Sequence, residues 1–144
     1  MMQKQLLEQL QKNQKEFHDI ILSAMQEYSY RFKRYGVDYT VALYALSDTI
    51  NIDIVKSMIR KTDRVIELDE HFFCIIFDFV EADAGLKASE NILAKIEPQI
   101  FGKKIFVSVV NSKDASSKEE HIRKLFDLLS YEIKNNIDDV PLVI

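Results

Sequence analysis

The sequence predicts a single α/β domain, a sheet covered by helices and preceded by a long helix. Three observations lead to this class. Apolar runs of strand length alternate with stretches whose apolar residues have helical spacing. Only three glycines and two prolines occur, which leaves little room for long loops. The 144 residues, 47% of them hydrophobic, suffice for one core but not for two domains.

The first third of the chain has the apolar spacing of one long helix that ends at Gly36. Its apolar side consists of Leu6, Leu10, Phe17, Ile21, Met25 (or Ala24), Tyr28, Phe32 and Tyr35. The segment Gln3 to Glu16 is too polar to be expected inside a domain. We therefore divide the chain into a helical extension, residues 1–16, and a domain, residues 17–144. Two interpretations of the extension stay open: a solvated helix, or a seam that pairs with a second copy.

The middle of the chain predicts a strand, a helix and a hairpin. Tyr39–Leu46 is β-branched and aromatic and predicts a buried strand. A short helix is expected over Ile52–Lys61 with Ile54, Val55, Met58 and Ile59 inward. The strands Arg64–Leu68 and Phe72–Phe79 are joined by the polar turn Asp69-Glu70-His71 and predict a hairpin. The second strand is apolar on both faces and is therefore expected in the middle of a covered sheet.

The rest of the chain completes a regular pattern. The predicted elements are a helix over Glu81–Ile96, a strand over Ile105–Val110, a helix over Lys118–Lys134 and a strand over Val140–Ile144. Ser117 and Glu120 predict a capping box at the start of the last helix. Pro141 restricts the last strand to an edge. Two βαβ units around a hairpin give an α+β sandwich with a ferredoxin-like βαββαβ core, a long N-terminal helix, and a C-terminal helix plus edge strand.

Charge and cysteine content restrict the function classes. The formal net charge of −4 gives no basic field for a phosphate backbone, so no nucleic-acid partner is expected. No apolar run approaches the ~18 residues of a membrane span, and Met1 to Lys15 is too polar for a signal peptide, so we expect a cytoplasmic protein without membrane contact. Cys74 lies in an apolar run and is expected to be an inert core residue. His18 and His121 are isolated, so neither a metal nor a cofactor is expected.

Five stretches follow the motif order of one known family. They are Arg31–Gly36, a basic run closing in Tyr-Gly; Ile59–Asp63, which contains Arg-x-x-Asp; Val65–Ile76; Phe106–Val109; and Phe126–Lys134. Together they resemble the GGDEF family of diguanylate cyclases, with Val65–Ile76 lying without a gap on the signature hairpin. The resemblance runs from about Phe17 to the end of the chain. It implies the fold of nucleotide cyclase domains and a role in signalling.

On the signature hairpin, this sequence departs from the family at the positions that carry chemistry. Asp69 and Glu70 stand where two glycines let the backbone approach the phosphates of GTP. Their carboxylates would also repel a triphosphate. The next family positions, an Asp and a Glu for metal binding and catalysis, hold His71 and Phe72, followed by Phe73. This degenerate hairpin is not expected to bind substrate or metal.

The first strand departs from the family in the same way. The resemblance places the family's two Asp residues of the strand end at Ala45 and Ser47. The distance from Leu46 to Asp63 is too short for the family's guanine-binding segment. The resemblance therefore implies a domain without enzymatic activity that acts by protein interaction or dimerisation, with another signalling protein as one expected partner. An active diguanylate cyclase is the least favoured alternative.

One motif of the family is retained. In many members, an Arg-x-x-Asp just before the hairpin binds cyclic di-GMP at an inhibitory site, and Arg60 and Asp63 hold that place. A guanidinium suits bidentate contact with phosphate or guanine, and a carboxylate accepts from guanine N–H groups. Glu67, where the family usually has Arg, disfavours an anionic ligand. The alternatives are therefore a cyclic di-GMP receptor site or a pair that only caps and closes the local structure.

Overall fold

The computed structural model describes residues 2–143 and has the predicted order of elements. Its helices are α1 Gln3–Lys12, α2 Gln14–Tyr35, α3 Ile52–Lys56, α4 Ala82–Ile96 and α5 Lys118–Lys134. Its strands are β1 Tyr39–Leu46, β2 Arg64–Glu67, β3 Phe72–Asp78, β4 Ile105–Asn111 and β5 Pro141–Val143. They form one sheet in the order β2-β3-β1-β4-β5. The α+β sandwich with its ferredoxin-like βαββαβ core is confirmed.

The sheet is built around β1, which pairs antiparallel with β3 on one side and β4 on the other. Leu43 lies opposite Cys74 of β3 and Ser108 of β4. All eight residues of β1 are buried, because helices cover both faces of the sheet. Strand β2 pairs antiparallel with β3 at one edge, and β5 pairs parallel with β4 at the other.

One face of the sheet, called here the three-helix face, packs against α1, α2 and α5. The odd-numbered residues of β1 point to it, since successive side chains of a strand alternate between faces. Its buried cluster includes Leu6, Leu10, Phe17, Ile21, Met25, Val41, Leu43, Phe72, Cys74, Phe106, Ile122, Leu125, Phe126, Leu129 and Ile133. This cluster joins residues from both ends of the chain into a single core.

The prediction that the segment from Gln3 to Glu16 is too polar to be buried is wrong. The chain breaks between two helices at Asn13, and the preceding α1 packs on α5. Leu6 and Leu10 are 0% and 1% exposed, and the Gln3 side-chain amide donates to the carbonyl of Ile133. Two leucines one turn apart suffice, because the surrounding polar residues face outward.

This burial changes the two interpretations of the N-terminal helix. A solvated helix is excluded for α1, and its Leu6 and Leu10 are occupied within the chain rather than free to form a seam with a second copy. The division of the chain at residue 16 stays a prediction. Residues of α1 belong to the same hydrophobic core as residues of α2, α5 and the sheet.

The other face of the sheet, called here the α4 face, is covered by α4 and the short α3. Its buried cluster includes Ala42, Tyr44, Leu46, Val55, Phe73, Ile75, Phe77, Ile92, Leu93, Ile96, Val107 and Val109. Helix α4 approaches β1 so closely that a Cβ atom on Gly85 would lie 2.2 Å from Thr40 Oγ1. Gly85 and Ser89 lie on the inner side of α4, and Ala84 is exposed. The predicted helix to Lys61 ends at Lys56.

The ends of the elements follow the predicted signals. Gly36 closes α2 with a φ of 68°, in the left-handed region that favours glycine. The Ser117 hydroxyl accepts from the Glu120 backbone N–H at 3.1 Å and caps α5. The reciprocal half of the predicted capping box is absent, because the Glu120 carboxylate accepts from the Ser116 N–H at 3.1 Å instead of the Ser117 N–H. The predicted strand over Val140–Ile144 is present as β5, and Ile144 lies outside the described residues. Within residues 2–143, no helix is both long enough and apolar enough to cross a membrane.

Candidate functional site

The turn of the signature hairpin is held by the side chain of Asp69. Its Oδ1 accepts from the backbone N–H groups of His71 at 2.8 Å and Phe72 at 3.0 Å. Its Oδ2 accepts from the side-chain amide of Gln9 on α1 at 3.1 Å. No residue of the turn has a positive φ. The carboxylate therefore binds the N–H groups of its own turn, and an exposed Glu70 is the remaining acid there.

His71 is tied to the end of β1. Its Nδ1 lies 2.9 Å from the carbonyl oxygen of Leu46 and 3.2 Å from that of Asp48, so this nitrogen carries the proton and donates. Its own carbonyl accepts from the Leu46 N–H at 2.8 Å. The half-buried imidazole thus bridges the hairpin turn and the strand end where the family resemblance places a metal site.

The two phenylalanines after His71 point to opposite faces of the sheet and are both buried. Phe72 is 1% exposed, and its ring centroid lies 5.3 Å from that of Phe17 on the three-helix face. Phe73 is 2% exposed and stacks on Tyr44 at 4.7 Å on the α4 face. Phe72 is thus a core residue at the position where the family has its catalytic Glu.

The strand end beside this turn offers little to a metal ion. Ala45 is fully buried, and the Ser47 hydroxyl accepts from the Lys104 N–H at 2.8 Å. Among residues 2–143, no group of three or more His, Cys, Asp or Glu side chains is arranged to hold a metal ion. The residues present therefore do not fit a divalent cation at the end of β1.

Arg60 and Asp63 form a bidentate pair. Arg60 Nε lies 3.1 Å from Asp63 Oδ2, and Arg60 Nη2 lies 2.8 Å from Asp63 Oδ1. The Asp63 carboxylate also accepts from the backbone N–H of Arg60 at 3.1 Å and of Asp78 at 2.9 Å. Arg60 Nη2 donates in addition to the Asp78 carbonyl. The hydrogen bond with Asp63 raises the pKa of Arg60 further above its usual value.

Asp63 and Arg60 differ in how far their side chains are exposed to solvent. The Asp63 side chain is 3% exposed and the Arg60 side chain 55%. Both oxygens of Asp63 are used within the chain, so the expectation that this carboxylate accepts from a guanine base does not fit the structure. The Nη1 group of Arg60 has no hydrogen-bond partner among the described residues, and Arg60 lines a groove on the α4 face. Asp63 therefore orients Arg60, and only Arg60 can contact a ligand.

A second arginine connects the hairpin base to α2. Arg31 Nη1 lies 3.1 Å from Asp78 Oδ1, and its guanidinium lies 5.0 Å from the centre of the Tyr28 ring. The Tyr28 hydroxyl donates to the Thr62 carbonyl at 3.1 Å. Helix α2, the segment before the hairpin and the end of β3 are thus linked by polar contacts.

An open groove of about 260 Å³ lies beside Arg60 on the α4 face. Its lining includes the apolar residues Ile59, Phe77 and Ile92 and the polar residues Asn91 and Lys95 of α4. These two polar residues belong to none of the motifs found in the sequence. Their spacing does indicate a shared position. They are four residues apart on α4, each next to a buried isoleucine (Ile92 or Ile96), and therefore lie on one side of the helix.

Cys74 and His121 are both in the core. Cys74 is buried, as predicted, and burial raises the pKa of its thiol to about 12, so no reactive thiolate forms near neutral pH. His121 Nε2 lies 2.8 Å from the Val110 carbonyl, and burial lowers the pKa of the imidazole to about 4. His121 is therefore neutral and structural.

Comparisons by sequence and by structure give different results. No protein-family model matches the sequence. No curated protein matches it either. Solved structures do match, at sequence identities so low that they support a shared fold and nothing more.

The GGDEF domain of PA1120 (TpbB or YfiN) from Pseudomonas aeruginosa is 11% identical, with 85% of this chain and 86% of that chain covered and a TM-score of 0.70. The GGDEF domain of DgcB from Caulobacter crescentus, in complex with c-di-GMP, is 9% identical, with 84% and 86% covered and a TM-score of 0.68. The diguanylate cyclase SiaD from P. aeruginosa, in complex with its activator SiaC, is 11% identical, with 88% and 58% covered and a TM-score of 0.66. By its fold, this chain is a GGDEF-like domain.

Proposed function

We propose that this chain is a catalytically inactive GGDEF-like domain that acts by binding. One observation carries the proposal: the side chains at the signature positions bond within the chain. Phe72 packs on Phe17, His71 bonds to main-chain oxygens at the end of β1, and Asp69 accepts from its own turn. A triphosphate would find side chains where the family has glycines, and no carboxylate from Phe72 or Ala45 to hold Mg²⁺.

Incubation with GTP and Mg²⁺ tests the inactivity. The full chain is expected to give no cyclic di-GMP by chromatography, under conditions in which the SiaD–SiaC complex serves as the positive control. The variant His71→Ala provides the decisive comparison, since it alters the turn without removing a buried aromatic ring. Product formed by the unaltered chain and reduced in His71→Ala would contradict the proposal.

Binding to another protein is the first mode that we propose. SiaD shows that a protein containing this fold is found in complex with an activator. The regulatory role proposed here is of that general kind, with a signalling protein as the partner. The test is affinity capture: the chain is immobilised and a partner is recovered from a lysate of the organism that produces it. Asp69→Ala loosens the turn, and Glu70→Ala is the control at the same turn. A change in the recovered amount of partner with Asp69→Ala but not with Glu70→Ala would support this mode.

Cyclic di-GMP binding is the second candidate, and the groove beside Arg60 favours it. The groove is lined by Arg60, Lys95 and Asn91 together with apolar side chains. Two cations suit two phosphates, and apolar side chains suit a base. The ligand contacts would come from Arg60 and α4, while Asp63 keeps Arg60 in place.

Calorimetry with cyclic di-GMP tests this candidate. Micromolar binding is expected, with a loss of about tenfold for Lys95→Gln, since one charge-assisted contact is worth about 1.4 kcal/mol or more. The matched control is Lys87→Gln, because Lys87 is exposed on the same helix but does not line the groove. Absence of heat with the unaltered chain, or equal losses in both variants, excludes the receptor.

A further inference from the structure

A patch of exposed aromatic side chains lies at the opposite end of α2 from α1. We call it the aromatic patch; it consists of Tyr30, Tyr35 and Phe79, which are 56%, 65% and 74% exposed. The Tyr30 and Tyr35 rings meet edge to face at 6.4 Å, and Tyr35 and Phe79 line one shallow cavity of about 290 Å³. Together the rings expose roughly 400 Å², an area at which surface patches are often functional.

The backbone of Phe79 sets this patch apart from ordinary surface aromatics. Phe79 has a φ of 57°, in the left-handed region that residues with a Cβ atom rarely adopt. This unfavourable conformation gains no burial in return, because the ring points outward. Strained backbone positions cluster at functional sites, and this one presents an aromatic ring to solvent.

The charges around the rings are of both signs. The Arg34 guanidinium lies 5.8 Å from the centre of the Tyr35 ring, and Glu81 lines the cavity that Tyr35 and Phe79 share. Both are exposed, and neither has an ion-pair partner among the described residues. Asp38, also at this cavity, is already paired with Lys113 at 3.3 Å. The surface around the rings thus carries one cation and one carboxylate, a pair of charges that the same surface on a second copy could match.

We propose that the aromatic patch is a two-fold interface with a second copy of this chain. A two-fold axis brings the same surface together from both sides, so Arg34 faces the partner's Glu81 while the rings pack between them. The rings amount to about half of the ~800 Å² that a standard interface buries on each partner, and the charged residues around them extend the contact. This interface is distinct from the one predicted for the N-terminal helix and does not depend on the proposed function.

Sedimentation equilibrium of the full chain, from micromolar to millimolar concentration, tests the interface. A reversible monomer–dimer equilibrium is expected, and Phe79→Gly should weaken it by about tenfold or more, as for a central aromatic contact. Glycine is unstrained at this φ, so Phe79→Gly should keep or raise the melting temperature. Loss of dimer then cannot result from unfolding. Phe101→Ser is the matched control, because Phe101 is 89% exposed outside the patch.

Charge exchange identifies the predicted contact. Arg34→Glu and Glu81→Arg should each weaken the dimer, since each places like charges opposite one another. The double variant Arg34→Glu, Glu81→Arg should restore it. A chain that is monomeric throughout the concentration range, a dimer unaffected by Phe79→Gly, or a double variant as weak as the single ones would overturn the proposal.

Discussion

The two faces of the sheet are covered to different extents. Three helices close one face, and their buried cluster includes Phe72 of the signature hairpin. The other face carries α4 and the five-residue α3, and an open groove of about 260 Å³ remains beside Arg60. The difference shows where binding is possible: the hairpin turn is closed by the core and by α1, whereas the groove is not filled by any side chain.

The largest effect is expected from restoring the family's acid. Phe72→Glu removes a buried ring and places a carboxyl group in the three-helix core, which should lower the free energy of unfolding by about 5 kcal/mol or more. Urea denaturation measures this loss. Phe101→Glu, at an exposed site, should change stability by less than about 0.5 kcal/mol. A stable Phe72→Glu variant would show that the hairpin turn is not closed.

The buried acid of the three-helix face should make stability pH-dependent. Glu132 is 0% exposed; its Oε1 accepts from the Val107 N–H and its Oε2 has no partner. Burial, with a smaller contribution from Asp138, raises the pKa of Glu132 to about 8. Because the unfolded chain releases this proton near pH 4.5, the free energy of unfolding should fall by roughly 4 kcal/mol as the pH rises from 4.5 through 8.

Glu132→Gln removes this titration. Compared with the unaltered chain, the variant should gain stability as the pH rises over the same interval, and chemical denaturation at several pH values measures the difference. Glu119→Gln is a control at the start of the same helix, where the side chain is accessible to water. A constant difference between Glu132→Gln and the unaltered chain at all pH values would contradict the raised pKa.

A smaller effect is expected where α4 meets the sheet. Gly85→Ala places a Cβ atom 2.2 Å from Thr40 Oγ1, so α4 or β1 must move. We expect a loss of about 2–3 kcal/mol in thermal or urea denaturation, typical of overpacking. Lys87→Ala, on the solvent side of the same helix, should be nearly neutral. A neutral Gly85→Ala would mean that the α4 face is loosely packed throughout and not only at its groove.

The smallest effects are expected at the rim of the groove. Asp63→Ala leaves the Asp78 N–H and Arg60 without their acceptor and should cost about 2 kcal/mol. Lys95→Ala should cost less than about 0.5 kcal/mol, because its side chain is exposed and makes no described hydrogen bond. Denaturation of both variants separates the residue that supports the groove from one that is available to a ligand.

The sequence predicts the strands well, because each is a β-branched or aromatic run between polar segments. Tyr39–Leu46 is found as predicted, and the hairpin strands differ by one residue at their ends. The sequence does not predict the burial of α1, since two leucines among polar residues form a weak pattern and their partner, α5, is more than a hundred residues away. Local patterns predict elements and cannot identify such distant partners.

The candidate site was predicted in part. The identity of its residues follows from aligned motifs, but their contacts do not. The Asp78 N–H donates to the Asp63 carboxylate and helps to hold it in a buried position. Asp78 lies in β3, fifteen residues further along the chain, so local sequence does not predict this contact. Glu132 had a local signal, because it lies seven residues after Leu125 and three after Leu129 on the apolar side of α5. Its charge, however, predicts exposure to solvent.

The two edges of the sheet determine how copies of this chain can meet. Strand β2 has four residues and carries Arg64 and Glu67 at its ends, and β5 has three residues and begins with Pro141. Short, charged or proline-bearing edges resist the strand addition that leads to aggregates and fibrils. Crowding or concentration should therefore favour discrete, reversible association through side chains over growth of a continuous sheet, and the protein should remain free of amyloid while it is folded.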